Sequence, residues 1–223
     1  MSRRRTPFNI LRKPVPEFNV TPENTALLIL DLQRINAEES GGISSLAKVK
    51  GVTSEFKDYF LLTRRMVLNT QSLLERCRKL SFTVIFTRLV SNIGDGSDIG
   101  RNASIWDTNF PYDPQDEKLI FTPEEGEVVL NKTCDNPFNC TNLEVTLRNR
   151  NIQYLILCGV RSPGYLNTTA YDAADKGFGV LIVSDAIAGG ILDNTSGMTG
   201  GLIRVRPSRS IHELLDTLEG GVQ

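Results

Sequence analysis

The stretch QYLILCGVRSPGYLNTTAYDAADKGFGVLIVSD, residues 153–185, decides the fold. It opens on a strand-length apolar run, QYLILCGV (153–160), and closes on another, GVLIVSD (179–185). Between them Ser162 reads as a helix N-cap with Pro163 in the first helical position. The pattern predicts a helix running to Lys176 and stopped by Gly177. Strands that are apolar nearly throughout and joined by a helix belong to a parallel sheet covered on both faces.

The rest of the chain repeats this grammar. TALLILD (25–31) is an apolar run ending on Asp31, and FTVIFTR (82–88) is a second. Between them Phe56, Tyr59, Phe60, Thr63, Met66, Val67, Thr70, Leu73, Leu74 and Cys77 recur at helical spacing, which predicts a long amphipathic helix. EVVLNK (127–132) is a third strand, ending on Lys132, and LIRVRP (202–207) is the sixth. Thr141 with Glu144, and Ser210 with Glu213, have the spacing of capping boxes that open helices. The segment from Leu89 to Glu125 has no clear period and reads as a long functional loop. The expected fold is α/β: a six-stranded, mostly parallel sheet with helices on both faces in a Rossmann-like three-layer arrangement. Residues 1–24, rich in Pro and Arg, read as an extended N-terminal arm, and residues 25–223 as a single domain.

Bulk chemistry narrows the function classes. Twenty-five Lys and Arg balance 26 Asp and Glu for a net charge of −1, which leaves no electrostatic footprint for nucleic acid or an anionic membrane. No apolar run approaches the roughly 18 to 20 residues that span a bilayer, and no apolar secretory core follows the basic MSRRR start. The expected location is therefore cytoplasmic. In that reducing setting Cys77, Cys134, Cys140 and Cys158 are not expected to form structural disulfides, and they lack zinc-ribbon spacing. Cys77 and Cys158 fall on apolar faces and read as core residues. One histidine, His212, cannot supply a two-histidine metal site or make a Ser-His-Asp or Cys-His triad plausible.

In open parallel sheets, ligands bind beyond the carboxyl ends of the strands. Asp31, Lys132 and the turn leading to Tyr165 all fall at such ends. Either charge alone reads as a strand end in water, but the three together read as a site. A carboxylate beside an ammonium performs acid–base chemistry while the cation stabilises developing negative charge. A side chain in the first turn of the following helix meets backbone N–H groups that favour anions.

This order of elements resembles the isochorismatase-like, or cysteine hydrolase, superfamily. TALLILDLQ is similar to its first strand with the catalytic Asp at Asp31, and NKTCDNPFNCTNLEVTLRNRNI to its Lys block with Lys132 and Phe138. CGVRSPGYLNTTAYDAADKGFGVLIVSDAIAG matches its signature block almost throughout. The resemblance implies a cis peptide at Val160–Arg161, and an oxyanion-binding turn through Val160, Arg161 and Gly164. It also puts the nucleophilic cysteine of the family at Tyr165, where this chain departs from the pattern.

Four readings of Tyr165 stand open. With an ordinary pKa of about 10, tyrosine is about 0.1% ionised at pH 7, and half-ionisation needs roughly 4 kcal/mol of preferential stabilisation, which disfavours a phenolate nucleophile. Isochorismatases proper carry glycine there and work without a covalent intermediate, so Asp31 and Lys132 suffice in principle. Cys134 is an alternative thiol, two residues after Lys132. Lastly, the chain is a silent relative that binds a small molecule or partner protein.

The resemblance implies a small amide, ureido or carboxylate substrate, with Arg88, Phe138 and Arg161 as substrate-binding candidates. Either arginine has the geometry to take a carboxylate by two parallel hydrogen bonds, and a surface salt bridge is an equally good reading of each. Trp106, Phe110 and Tyr112 read as loop packing or a pocket wall. FTRLVSNIGDGSDIGR (86–101) lacks the Asp-x-His ligands of nicotinamidases, so neither a metal nor another cofactor is expected. A homodimer or homotetramer is expected from the resemblance, with the N-terminal arm reaching a neighbour.

Overall fold

The computed structural model describes residues 11, 13, 17–100, 113–160, 164–188 and 201–220. Six strands, β1 (Thr25–Leu30), β2 (Thr83–Leu89), β3 (Val128–Lys132), β4 (Tyr154–Gly159), β5 (Gly179–Ile187) and β6 (Ile203–Arg206), form one sheet. Their order is β3-β2-β1-β4-β5-β6, and every neighbouring pair is parallel. Chain direction across the sheet reverses at β1, so the crevice for a ligand falls beyond the ends of β1 and β4.

The helices are α1 (Arg34–Ala37), α2 (Gly42–Val49), α3 (Lys57–Lys79), α4 (Pro137–Cys140), α5 (Leu143–Asn149), α6 (Tyr165–Asp175) and α7 (Ser208–Gly220). Strand side chains alternate between the two faces. Leu27, Ile29, Val84, Phe86, Ile156 and Cys158 pack on Met66, Leu73, Leu74 and Cys77 of α3 and Ile211 and Leu215 of α7. Ala26, Leu28, Leu30, Ile85, Leu155 and Leu157 pack on the opposite face, against Leu143 and Leu147 of α5 and Leu166, Ala170 and Ala173 of α6. The continuous apolar runs are thus two half-patterns superposed, one for each layer of helices.

Helix boundaries differ from the sequence expectation in instructive places. α6 begins at Tyr165 with Gly164 as its N-cap, later than the Pro163 start, while Ser162 and Pro163 lie outside the described residues. Gly164 has φ 151° and ψ −114°, a conformation open to glycine and closed to a capping serine. The Ser210 and Glu213 capping box does not form, because α7 starts earlier. The Asp185 carboxylate on β5 instead accepts from Ser208 N at 2.6 Å and Ser208 Oγ at 2.7 Å. Glu213 pairs with Arg209. Thr141 does cap, its Oγ1 accepting from Leu143 N at 3.0 Å, but Glu144 reaches Lys176 rather than its own helix end. From Glu17 onward the N-terminal segment lies against the domain: Val20 is buried and Phe18 meets Tyr154 at 5.1 Å.

Candidate active site

The end of β1 is shaped by two unusual backbone positions. Asp31 has φ 46°, a left-handed conformation that aspartate tolerates better than most residues. Its backbone is held there from three sides. Asp31 N donates to Thr87 O at 3.1 Å, and Asp31 O accepts from Gln33 N at 2.8 Å and Asn36 Nδ2 at 3.2 Å. Beside it, Gly159 has φ 114°, and a Cβ there would stand 2.1 Å from Leu30 O. Only glycine lets the end of β4 pass this close to β1, which places Val160 N at 2.9 Å from Leu30 O.

Three strands meet on the Asp31 carboxylate. Thr87 Oγ1 of β2 donates to Oδ1 at 2.7 Å, and Lys132 Nζ of β3 lies 2.7 Å from Oδ2. Because β2 lies between β1 and β3, the lysine must extend its whole side chain across the end of β2 to make this contact. Lys132 Nζ also donates to Cys134 O at 2.8 Å and Asp135 O at 3.1 Å. Its three N–H groups therefore match three acceptors, which a buried ammonium requires. Burial raises the Asp31 carboxyl above the ordinary carboxylate range, against the opposing pull of the Lys132 charge and the hydrogen bonds from Lys132 and Thr87.

Tyr165 stands half-buried at the first position of α6, and its ring centroid lies 5.4 Å from Lys132 Nζ. That is cation–π range, so the lysine faces the ring as well as the carboxylate. Asp31 and Lys132 touch directly, so the ring does not separate them. The fold thus brings together Asp31, Lys132 and Tyr165, three residues that the sequence places at strand ends.

Other candidates are placed elsewhere. Arg88 Nε donates to Asn131 Oδ1 at 2.6 Å across the β2/β3 register, a surface pairing away from the carboxylate. Phe138 stacks on Phe178 at 6.2 Å and packs with the α5/α6 layer rather than lining the pair. Cys134 is not a free thiol: it is bonded to Cys140, which corrects both the expectation of reduced cysteines and the choice of Cys134 as an alternative nucleophile. A reducing compartment argues against a bridge, but the α4 turn brings the two Cα atoms to 6.4 Å, within bridging distance. Cys77 and Cys158 are buried, and burial pushes both thiols up to about 12, far from a reactive thiolate. Val160 is buried at the end of β4; Arg161, the peptide joining the two, Trp106, Phe110 and Tyr112 involve positions outside the described residues.

Three residues of this neighbourhood were not singled out in the sequence. Thr87 is fully buried and shares its strand face with Ile85 and Leu89, but also with Thr83, so nothing in the sequence distinguished it. Gln33, 1% exposed, donates through Nε2 to Leu89 O at 2.9 Å and Glu117 O at 3.0 Å, and its Oε1 accepts from Leu89 N at 2.8 Å. It ties the ends of β1 and β2 to the 114–117 turn. Asn136 Nδ2 reaches Asp172 Oδ2 of α6 at 2.9 Å, a contact no local pattern announces. Among the described residues a cleft of about 450 Å³ opens between Lys48, Lys57, Phe60 and Arg64, and it does not touch the Asp31 pair.

The parallel α/β sheet carries an acid and a lysine joined across its carboxyl edge, and comparison with known proteins gives the family of the chain. Residues 25–199 match the isochorismatase domain, and the chain belongs to that family. It is 27% identical over 164 residues to an N-carbamoylsarcosine amidase of Arthrobacter, covering 69% of this chain and 62% of that enzyme. The match thus spans less than two thirds of that relative's length. A crystal structure of a cysteine hydrolase from Pseudomonas syringae pv. phaseolicola superposes with a TM-score of 0.69 at 22% identity, covering 92% of this chain and 98% of the other. That of N-carbamoylsarcosine amidase from Thermoplasma acidophilum gives 0.61 at 22% identity, covering 83% and 96%. At such identities the two structures establish the shared fold.

Proposed function

We propose that this chain hydrolyses a small amide, ureido or carboxylate compound with Asp31 as general acid–base and Lys132 as electrostatic stabiliser, without a covalent intermediate at Tyr165. The observation that carries this reading is the buried Asp31–Lys132 contact of 2.7 Å at the carboxyl edge of the sheet. A carboxyl raised by burial holds a proton more readily than an ordinary carboxylate, which suits it to taking up and returning one. For an amide, Asp31 takes a proton from water as its oxygen adds to the carbonyl carbon. The oxyanion displaces one carbonyl acceptor of Lys132. The proton then passes from Asp31 to the departing nitrogen as the C–N bond breaks, giving acid and amine. The similarity to N-carbamoylsarcosine amidases favours ureido compounds among the candidates.

One observation favours a second reading, a relative that binds but does not turn over. All three Lys132 N–H groups already have protein acceptors, and the Tyr165 ring faces the same ammonium. A panel of N-carbamoyl amino acids, simple amides and isochorismate, assayed for release of ammonia or loss of the vinyl ether, separates the two. Turnover that disappears in Asp31→Asn supports the hydrolase. Turnover unchanged in Asp31→Asn overturns the proposed chemistry, and saturable binding with no turnover of any compound supports the second reading.

A further inference from the structure

We propose that the Cys134–Cys140 bridge is a redox-sensitive clasp that fixes the position of the Lys132 ammonium. Two of the three acceptors that hold Lys132 Nζ are carbonyls of its own near neighbours, Cys134 and Asp135. A side chain reaches carbonyls two and three residues onward only where the chain curls back over its own strand end. Two features maintain that curl. Cys134 is bonded to Cys140 across a sequence separation of 6. Asn136 caps α4 through Phe138 N at 3.0 Å and reaches Asp172 at 2.9 Å.

The bridge starts at the residue whose carbonyl Lys132 uses, so opening it frees that carbonyl directly. The Asn136 contacts persist, so the loop loosens without the domain unfolding. Both cysteines are half-buried, within reach of a small dithiol, whereas Cys77 and Cys158 lie in the core. Reduction breaks the S–S bond and takes two electrons and two protons from a dithiol, which becomes a disulfide as Cys134 and Cys140 become thiols. The closed form has its ammonium committed to Asp31 and the clasp; the open form releases an N–H for another acceptor. The clasp acts on the site of the proposed hydrolase but does not depend on turnover.

The test is acylation of the full-length chain by acetic anhydride, read peptide by peptide by mass spectrometry, before and after dithiothreitol. Iodoacetamide under native conditions reports the bridge, adding two carbamidomethyl groups only when it is open. We expect reduction to raise Lys132 acylation at least about tenfold relative to exposed Lys48, and reoxidation to restore the slow rate, a selectivity that general loosening does not produce. The double variant Cys134→Ser/Cys140→Ser shows the fast rate without reductant. Lys132 acylation that stays within about twofold after the bridge is open, or that rises together with Lys48, overturns the proposal. Four thiols in the denatured, unreduced protein overturn it as well. Because no readout is hydrolysis, a chain without turnover still tests the clasp, and failure of the clasp leaves the proposed chemistry untouched.

Discussion

Lys132 reaches past an intervening strand to lie 2.7 Å from the Asp31 carboxylate, and both side chains are removed from water. In such a pair each charge is tolerated because of the other. Lys132→Met or Asp31→Asn should each cost roughly 3–5 kcal/mol in urea unfolding, since each leaves a buried group without its partner. The double variant Asp31→Asn/Lys132→Met should fall short of the summed losses by about 2 kcal/mol. Losses that add within about 0.5 kcal/mol would contradict direct coupling.

Acid should act oppositely on the variant and on an ordinary salt bridge. The Asp31 carboxyl is raised in the folded chain, so the unfolded chain binds fewer protons over the window between the ordinary and the raised value. Stability from this group is therefore lost as pH rises through that window and regained as pH falls. Lys132→Met removes the opposing cation and widens the window. The melting temperature of Lys132→Met should approach that of the parent as the pH is lowered through that window. A gap that grows on acidification would mean that the carboxyl is not raised.

Gly159→Ala tests how closely β4 must approach β1. A Cβ would stand 2.1 Å from Leu30 O on a backbone with φ 114°, so a loss of roughly 3–5 kcal/mol is expected. Gly177→Ala, at φ 88° with no atom within 4 Å, should cost only about 1 kcal/mol. Equal losses in thermal unfolding would show that strain alone, and not the close approach, sets the first value.

Gln33→Leu removes the buried amide that joins two strand ends and the 114–117 turn. With Leu89 N and two carbonyls left without this partner, the loss should be roughly 3 kcal/mol. Amide exchange should quicken at Leu89 and leave Ile156, in the sheet core, protected. Uniform quickening across both would argue against a local tie.

Tyr165→Phe distinguishes a phenol that does chemistry from a ring that shapes the site. A proton-transferring hydroxyl would cost about 10²–10⁴-fold in kcat when removed. Under the non-covalent mechanism the expected change is less than about tenfold, because the ring over Lys132 is retained.

How much of this was legible in the chain follows from which physics is local. Six strands and the principal helices were marked by apolar runs and helical spacing, and the two capped faces of the sheet by the same runs. Asp31 and Lys132 were legible because a charge that ends a buried strand has few neighbours in sequence to explain it. Thr87, Gln33 and Asn136 were not, because a single polar residue acquires its role only when a partner 36 to 84 positions away is brought beside it.

The sequence by itself determined the parallel α/β class, the family, and which edge of the sheet holds the charged residues. The class and the edge follow from periodicity and from the fixed hand of strand crossovers, and the family from the resemblance of its three motif blocks. Tertiary structure alone decided that α6 starts at Tyr165, that Cys134 is bonded to Cys140, and that Lys132 spends its N–H groups on Asp31 and two carbonyls. Burial is the reason: once water is excluded, an unpartnered charge or amide is costly, and for Asp31, Gln33 and Lys132 the fold supplies partners from distant strands and loops.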